Sequence, residues 1–531
     1  MTTVTGTGKL VRLILRRDRV RLSVWLLVLA VIPPVTANAF IGLYPTEASR
    51  EVLLATVATS PALTTLLGPL YDSSIGALTA WRFGTIGAFM VALMAILTMI
   101  RHTREEEETG RRELLGSTVV GRNAPLAAAL TVTMAAGAVL GVLIAGGLIA
   151  VGLPPAGSLA FGLGFIGLAA AFAGVGALAA QLTSASSTAR GIGVGIAGLA
   201  FVLRMVGDSG GEGVEWLSWL SPIGWFSRLR PFAGEQWWVF LLWIGLALTL
   251  VAAAAAIASR RDVGAGAISP RPGPAHAGSA LGSPLGLAWR LHRGSVVGWA
   301  AGLAVLGAVY GGAAEGIGDM LQGNPQLLEI FEQLGGRQGL TDTFFSAAIG
   351  IIALITSAYA IRAVLRLEVE EERVRAEPVL ATATPRIGWA WSHLFFGVLG
   401  PVLILAVAGI VAGATYGAMV GDVGGQVPGV LGAAMVQLPA VWVLTGAAMA
   451  LYGLAPRYAA LSWGFLVWCL VLGQLGQILQ FPQWSRNLSP FSHVPLFPSE
   501  DIEVAPMAWL LAIAVALIAA GLAGFRRRDI G

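Results

Sequence analysis

The chain is 531 residues long, 56% of its residues are hydrophobic and only 12% are charged, and its formal net charge is +4. This composition excludes an ordinary soluble globular protein, because a soluble protein of this size needs more polar surface. The arginines are scattered along the edges of apolar runs, which argues against a nucleic-acid partner and favours contact with lipid headgroups. We therefore predict an all-α integral membrane protein.

Apolar runs of about 20 residues, enough to cross a bilayer as a helix, recur along the whole chain and predict twelve transmembrane helices. The predicted spans of the first half are 22–43, 82–101, 125–152, 158–181, 190–206 and 237–258. Those of the second half are 296–314, 343–365, 390–418, 429–453, 458–480 and 505–525. Basic residues favour one side of this alternating arrangement, so the positive-inside rule predicts that both termini are cytoplasmic.

A short basic amphipathic segment precedes the first span of each half. In the first half Arg12, Arg16 and Arg19 share one helical face, and in the second half Arg290 and Arg293 lie opposite apolar residues. Two interpretations remain open. The segment is either a helix that lies flat in the membrane interface or a positive flank that sets the topology.

The two halves are copies of one unit, because four landmarks recur in the same order. The landmarks are Trp25 and Trp299, the clusters 106–113 and 370–377, Ser221-Pro222 and Ser489-Pro490, and the segments 260–264 and 527–531. The predicted domains are a first six-span half, 1–264, a cytoplasmic linker rich in Gly, Pro, Ala and Ser, 265–283, and a second six-span half, 284–531. A repeated membrane unit often places a transport pathway between its copies.

The sequence lacks catalytic motifs and the mid-span charges of an ion-coupled transporter. The fragment Gly-Thr-Gly-Lys near the N-terminus lacks the Ser or Thr that completes a phosphate-binding loop. We predict no catalytic residue, no metal site and no cofactor in this chain, whose single cysteine is Cys469. The absence of Asp, Glu and His at mid-span argues against an ion-coupled transporter. Arg82, Arg204 and Arg362 lie at span ends, where they can snorkel.

The two charged clusters follow the second span of each half on the cytoplasmic side. In a continuous helix Glu107 and Arg111 would form an i,i+4 pair, as would Glu371 and Arg375. A single cluster would fit a solvated helical extension, whereas two clusters at equivalent positions favour a surface that meets a partner twice. The predicted coupling residues are Glu105, Glu106, Glu107, Glu108, Arg111, Arg112, Glu113, Glu370, Glu371, Glu372, Arg375 and Glu377.

At these clusters the chain resembles the ABC exporter permeases of the type-2 class, most of all the actinobacterial exporters of polyketide-type antibiotics. Their hallmark is an acidic stretch after the second span, then Gly, a Glu-Leu-Leu-like element, and a turn before the third span. The first half matches this hallmark at 106–108, Gly110, 113–115 and 121–122. In the second half Val374 replaces the Gly and Pro378-Val379 replaces Leu-Leu, although Pro385-Arg386 restores the turn.

The resemblance implies a permease in the plasma membrane that hydrolyses no ATP itself. Two copies of a separate ABC ATPase subunit, which binds ATP and magnesium, would dock beneath the clusters and drive hydrophobic antibiotics or drugs, or lipids, out of the cell. In this class the second and fifth spans of each half line the substrate cavity. The implied lining residues are Phe83, Phe89, Met90, Met94, Phe201, Met205, Phe344, Phe345, Trp463, Phe465 and Trp468. The alternatives are an ion-coupled secondary transporter with twelve spans, and a membrane scaffold or lipid-modifying enzyme, for which no site is evident.

Overall fold

The computed structural model describes residues 3–59, 61–116, 119–209, 213–269, 275–322, 336–475, 482–499 and 503–529. All regular structure in these ranges is helical, with no strand, which confirms the predicted all-α class. Eleven helices of the described residues are long and apolar enough to cross a membrane. The predicted span 458–480 overlaps a shorter apolar helix, Leu461–Leu475, and residues 476–480 lie outside the described ranges.

The chain divides into two compact units, Met1–Gly273 and Pro274–Gly531, and their boundary falls within the range predicted as the linker. The α-helices of the first unit are α1 (Thr7–Leu43), α2 (Glu47–Thr59), α3 (Pro61–Leu67), α4 (Ile75–Ile100), α5 (Glu106–Glu108), α6 (Arg111–Gly116), α7 (Ala124–Ala150), α8 (Pro155–Leu182), α9 (Ser186–Ser209), α10 (Trp216–Trp219), α11 (Gly224–Arg228) and α12 (Phe240–Arg260). One turn of π-helix (the π-turn), Arg101–Glu105, joins α4 to α5, so the second span continues to Glu108.

The second unit has a similar order of helices. They are α13 (Pro284–Gln322), α14 (Gly336–Val364), α15 (Arg366–Glu372), α16 (Ala376–Leu380), α17 (Arg386–Val420), α18 (Val423–Val436), α19 (Leu438–Leu454), α20 (Leu461–Leu475), α21 (Gln483–Arg486) and α22 (Val504–Arg527). Single 3-10 turns are Trp237–Val239 in the first unit and Ser279–Gly282, Pro456–Tyr458 and Pro490–His493 in the second. Helices α18 and α19 together form one span, Val423–Leu454.

The basic amphipathic segments are not separate helices. Helix α1 is continuous for 37 residues and α13 for 39, so each segment is the first part of a span. At a rise of 1.5 Å per residue α1 is roughly 55 Å long, which exceeds the hydrocarbon thickness of about 30 Å. The interpretation that each segment is a separate interfacial helix is therefore wrong. The segments are the positively charged flanks of the first span of each half.

Each unit has its own apolar core. In the first unit Phe161 and Phe165 of α8 are fully buried, and their rings meet edge to face with centroids 5.1 Å apart. In the second unit Tyr359 of α14 is buried and its hydroxyl donates to the carbonyl oxygen of Phe396, at 3.1 Å. The Tyr359 ring occupies the space where a Cβ on Gly400 would lie, so glycine at that position lets α14 pack closely on α17.

Close approach of α7 and α8 explains two glycines four residues apart on α7. A Cβ on Gly137 would lie 2.7 Å from the Cβ of Ala169, and a Cβ on Gly141 would lie 2.5 Å from the carbonyl oxygen of Gly162. Such separations permit only glycine, because real Cβ atoms do not approach other atoms so closely. This glycine pair therefore serves helix packing inside the unit.

Both charged clusters are interrupted by a turn at the same point of the repeat. Gly110 has a φ of 72° between α5 and α6, and Val374 has a φ of 56° between α15 and α16. The i,i+4 pairs require a continuous helix, and the prediction of such a helix is therefore wrong for both clusters. The replacement of Gly by Val in the second copy leaves the left-handed backbone conformation unchanged.

We expect Val374→Gly to raise the free energy of unfolding by about 0.5–1 kcal/mol, because a β-branched residue is strained in the left-handed region. The Val374 side chain is 58% exposed, so its loss removes little burial. Conversely, Gly110→Val should lower the free energy of unfolding by about 1–2 kcal/mol. No atom lies within 4 Å of a Cβ at Gly110, so this loss would come from backbone strain and not from a steric clash. Reversible unfolding in mixed micelles measures both changes.

The matched control is Val369→Gly, because Val369 is exposed on the regular helix α15. This variant should lose about 0.3–0.5 kcal/mol, because Gly has a poorer helix propensity than Val. A gain in stability at both valines, or at neither, would contradict the assignment of strain to Val374.

Candidate functional site: an ion-pair network repeated in both units

Glu107 is the centre of the first charged cluster, and its side chain is only 1% exposed. Its carboxylate pairs with Arg104 Nη1 at 2.7 Å, with Arg261 Nη2 at 2.8 Å, and with Arg112. These arginines belong to the π-turn, to the segment after α12, and to α6. A buried charge costs several kcal/mol unless it is paired, so the three arginines explain why a glutamate is stable here.

Arg104 is also buried and connects the second span to two distant segments. Its Nε donates to the carbonyl oxygen of Ala180 at 2.8 Å, and its Nη2 donates to that of Ala265 at 3.0 Å. Arg104 lies on the π-turn, a helical irregularity that is frequent at functional sites. The end of the second span is therefore held to the end of α8 and to the segment after α12.

Burial lowers the pKa of two arginines of this network that lie outside the spans, Arg112 and Arg261. Burial, together with the charges of Arg261, Arg104 and Arg122, lowers the pKa of Arg112 to about 10. Burial also lowers the pKa of Arg261. An arginine with a pKa of about 10 is still protonated at pH 7, so Arg112 keeps its charge under physiological conditions.

The second unit contains the same link at equivalent positions. Arg528 Nη2 lies 2.6 Å from a carboxylate oxygen of Glu371. In the first unit Arg122 Nη2 donates to the carbonyl oxygen of Arg261 at 2.7 Å, and in the second Arg386 Nη1 donates to that of Arg528 at 3.0 Å. Each set is called a Glu–Arg–Arg link: Glu107, Arg261 and Arg122 in the first unit, and Glu371, Arg528 and Arg386 in the second. Two landmarks of the repeat, the charged cluster and the Arg-Arg-Asp segment, meet in this link with the turn before the third span.

The second link has fewer ion pairs and more aromatic contacts. Ala376, which is buried, takes the place that Arg112 has in the first unit. The Arg528 guanidinium lies over the rings of Tyr452 and Phe525, 4.5 and 5.2 Å from their centroids. The neighbouring Glu370 is buried and pairs with Arg366 four residues earlier on α15, at 3.1 Å.

Two further acids of the first cluster face neighbouring helices. Glu105 pairs with Arg190 of α9 at 2.5 Å, and Glu106 pairs with Arg17 of α1 at 2.7 Å. With Glu107, these acids tie the second span to α1, α6, α9 and the segment after α12. The inward-facing half of the cluster thus stabilises the unit itself.

The remaining predicted coupling residues face solvent. The exposed residues are Glu108, Arg111 and Glu113 in the first unit and Glu372, Arg375 and Glu377 in the second. Glu113 of α6 and Glu377 of α16 occupy equivalent positions in the two copies. Exposure therefore separates the predicted coupling residues into a group that holds each unit and a group that is accessible to a partner.

Buried titratable residues near the beginnings and ends of spans were missed by sequence reasoning. Asp18 Oδ2 lies 2.7 Å from His102 Nε2, and Asp18 Oδ1 lies 3.1 Å from Arg101 Nε. In the second unit His292 Nε2 lies 2.9 Å from His393 Nδ1. The sequence offered one signal for Asp18, which is the only acidic residue of α1.

The interpretation that Arg204 snorkels is wrong, because Arg204 is fully buried. Its guanidinium lies 3.5 Å from Asp208 and donates to the carbonyl oxygens of Thr65 and Leu66, at 2.8 and 3.1 Å. Asp208 in turn accepts a hydrogen bond from Ser218 Oγ at 2.7 Å. A nearby carboxylate and two carbonyl groups satisfy the charge, so it does not need to reach water.

The residues expected to line a cavity differ widely in exposure. Phe83, Met94, Met205 and Phe345 are buried, Phe89, Met90, Phe201, Phe344 and Phe465 are partly buried, and Trp463 and Trp468 are exposed. The Phe89 and Phe201 rings meet edge to face with centroids 5.4 Å apart, so the second and fifth spans of the first unit are in contact. The lining role of all eleven residues stays a prediction.

Comparison with known proteins gives two matches. Residues 281–526 match the family described as "Multidrug efflux system permease Rv1217c, C-terminal domain". The chain is 44% identical over 527 residues to the multidrug efflux system permease protein Rv1217c of Mycobacterium tuberculosis, which covers 99% of this chain and 95% of that protein.

Proposed function

We propose that this chain, which belongs to the family of multidrug efflux system permeases, is the membrane subunit of an ATP-driven ABC exporter of the type-2 class. It would move hydrophobic compounds, such as antibiotics or drugs, out of the cell. A separate ABC ATPase subunit, used twice, would bind ATP and magnesium. The observation that carries the proposal is the Glu–Arg–Arg link, which recurs near a short helix with an exposed glutamate in each unit.

The proposed docking surfaces are α6 and α16. Each helix follows a left-handed turn, and each presents an exposed glutamate, Glu113 or Glu377. Helix α6 is held to the first link by the ion pair of Arg112 with Glu107, whereas α16 follows Glu371 of the second link along the chain. A partner that pushes on such a helix would act directly on the ends of the second and sixth spans. The link therefore supports a role in coupling more strongly than it supports a solvated helical extension.

We expect Glu113→Arg and Glu377→Arg each to weaken binding of the ATPase subunit at least about tenfold, which corresponds to about 1.4 kcal/mol. Charge reversal at the centre of a docking surface replaces attraction by repulsion while leaving the buried network intact. Co-purification of a candidate ABC ATPase subunit with this chain, followed by a titration of ATPase binding, measures the effect. The permease purified alone should hydrolyse no ATP.

The control is Glu215→Arg, an exposed residue beside α10 on the predicted outer side. It should leave assembly unchanged. Equal ATPase binding by all three variants, or robust ATP hydrolysis by the permease alone, would contradict the proposal.

Substrate recognition is expected to depend mainly on apolar burial. Phe89→Ala and Trp468→Ala should each change the export rates of several hydrophobic drugs by severalfold, because a lost aromatic contact removes roughly 25 cal/mol per Å² of buried apolar area. Export from proteoliposomes, with a drug panel and a charged sugar, measures the profile. Trp509→Ala is the control, since Trp509 is 72% exposed on the last span. Selective export of the sugar would overturn the expectation.

The buried titratable pairs favour one second candidate, an ion-coupled transporter. Asp18 with His102, and His292 with His393, are ionisable groups inside membrane-spanning helices, where such groups often carry proton relays. The two functions differ in their energy source. In proteoliposomes that contain both subunits, export that survives a protonophore and stops without ATP supports the ABC exporter, and the opposite result supports proton coupling.

A further inference from the structure

An apolar cleft of about 370 Å³ lies in the second unit, between the first turns of α13 and the first half of α17. Six side chains form most of its walls: Trp289, Val296, Phe395, Phe396, Leu399 and Leu403. Among the described residues that line it, Ser283 is the only one with a polar aliphatic side chain. Its volume falls within the range of small-molecule sites, about 300–1,000 Å³.

The cleft opens toward the surroundings of the unit. Trp289 is 49% exposed, Leu399 38% and Leu403 45%, so the apolar interior continues to the surface. The predicted topology places the first turns of α13 at the cytoplasmic edge of the bilayer, and tryptophan is enriched at that depth. An acyl chain of the cytoplasmic leaflet can therefore reach the cleft directly.

The inner wall is held rigid by a buried polar pair. The His292 ring stacks on Phe396, with centroids 5.0 Å apart and an interplanar angle of 17°, and His292 is hydrogen-bonded to His393 at 2.9 Å. Trp289 packs against the same Phe396 ring at 5.9 Å. A wall that is fixed in advance loses little conformational entropy when a ligand binds.

Positive charge lies beside the opening. Arg290 and Arg293 are exposed on the turn of α13 that carries Trp289, and residues 284–299 contain no Asp or Glu. Arginine binds phosphate through charge-assisted hydrogen bonds, and basic residues at a membrane edge attract anionic lipids. An apolar slot with two exposed arginines on the same turns of α13 as its wall matches a phospholipid in chemistry.

We propose that this cleft is a binding site for an anionic phospholipid of the cytoplasmic leaflet. One acyl chain fills the space between Trp289 and Leu399, and Arg290 and Arg293 hold the phosphate. This site does not depend on ATP-driven transport, so its test and that of the proposed exporter have separate outcomes.

The first unit has the equivalent arginines but lacks the aromatic side chains that line the cleft in the second unit. Counted from Trp25 and Trp299, Arg16 and Arg19 are the equivalents of Arg290 and Arg293, and all four arginines are exposed. Leu15 stands where the second unit has Trp289, and Thr131, Val132 and Ala135 stand where it has Phe395, Phe396 and Leu399. The first unit therefore provides a matched control within the same chain.

The test uses the full chain in nanodiscs that contain phosphatidylglycerol with a photoactivatable diazirine on one acyl chain. The same label on phosphatidylcholine gives the zwitterionic arm. We expect crosslinks to concentrate on peptides that contain Trp289 and Phe395–Leu403, with phosphatidylglycerol labelling them several times more than phosphatidylcholine. Leu399→Trp, which fills the cleft, should remove most of this labelling.

The double variant R290Q/R293Q should lose the preference for the anionic lipid, whereas R16Q/R19Q should keep it. Equal labelling by the two lipids, equal behaviour of the two double variants, or crosslinks spread evenly over the exposed helices would overturn the proposal. Labelling that a hydrophobic drug removes from the cleft alone would identify a drug site instead and would also overturn it.

Discussion

Glu107→Gln is expected to lower the free energy of unfolding by about 3–5 kcal/mol, because it leaves buried positive charges without their partner. The side chains of Arg104, Arg261 and Arg112 are 0%, 7% and 18% exposed, so solvent cannot replace the lost carboxylate charge. Glutamine keeps the shape of the side chain, so the change is electrostatic. Reversible unfolding in mixed micelles, followed by tryptophan fluorescence, measures the loss.

Glu106→Gln is the matched control. Its partners Arg17 and Arg111 are 33% and 53% exposed, so this change should cost at most about 1 kcal/mol. The same change at Glu371 should have an intermediate effect, since Arg528 also contacts two aromatic rings. Equal losses at Glu106 and Glu107 would show that burial does not set the strength of the network.

Asp208→Asn should cost about 3–5 kcal/mol as well, since Arg204 would then be a buried cation without its carboxylate. Arg204 is 0% exposed, and Asp208 also accepts from Ser218 and pairs with Arg228 at 3.4 Å. Because Arg204 holds the carbonyl groups of Thr65 and Leu66, the loss should first loosen α3 and the segment that follows it. Hydrogen exchange across residues 61–74 measures this local opening.

The exposed Glu215→Gln on the same predicted side is the control for Asp208→Asn and should leave both stability and exchange unchanged. Exchange that rises equally over all helices in Asp208→Asn would argue for global rather than local destabilisation. Unchanged stability would contradict the view that this ion pair is closed to solvent.

These stability effects determine how coupling is best tested. Charge reversal at Glu107 would disrupt the buried network as well as any docking of the proposed ATPase subunit, so a loss of transport would have two explanations. Glu113 and Glu377 are exposed on α6 and α16, and substitutions there leave the buried network unchanged. A docking defect at these positions is therefore interpretable.

Sequence alone determined the all-α membrane class and the approximate spans, because the bilayer thickness sets the length of an apolar helix. It also revealed four landmarks in duplicate, since repeated segments can be recognised without any contact. The acidic cluster, the Arg-Arg-Asp segment and the turn before the third span were all visible in the sequence. Their convergence in one Glu–Arg–Arg link was not, because the residues are far apart along the chain.

Only the tertiary structure decided where each charge is neutralised. Asp208 lies only four residues after Arg204, but the two carbonyl groups that complete the surroundings of Arg204 belong to Thr65 and Leu66 of a distant segment. Val374 gave no sign of a left-handed turn, because a β-branched residue avoids that conformation unless its surroundings impose it. The lipid cleft likewise needs Trp289 on α13 to meet Phe396 on α17. Local sequence encodes helices through hydrophobicity and propensity, whereas ion pairs and clefts depend on distances between distant segments, which packing alone establishes.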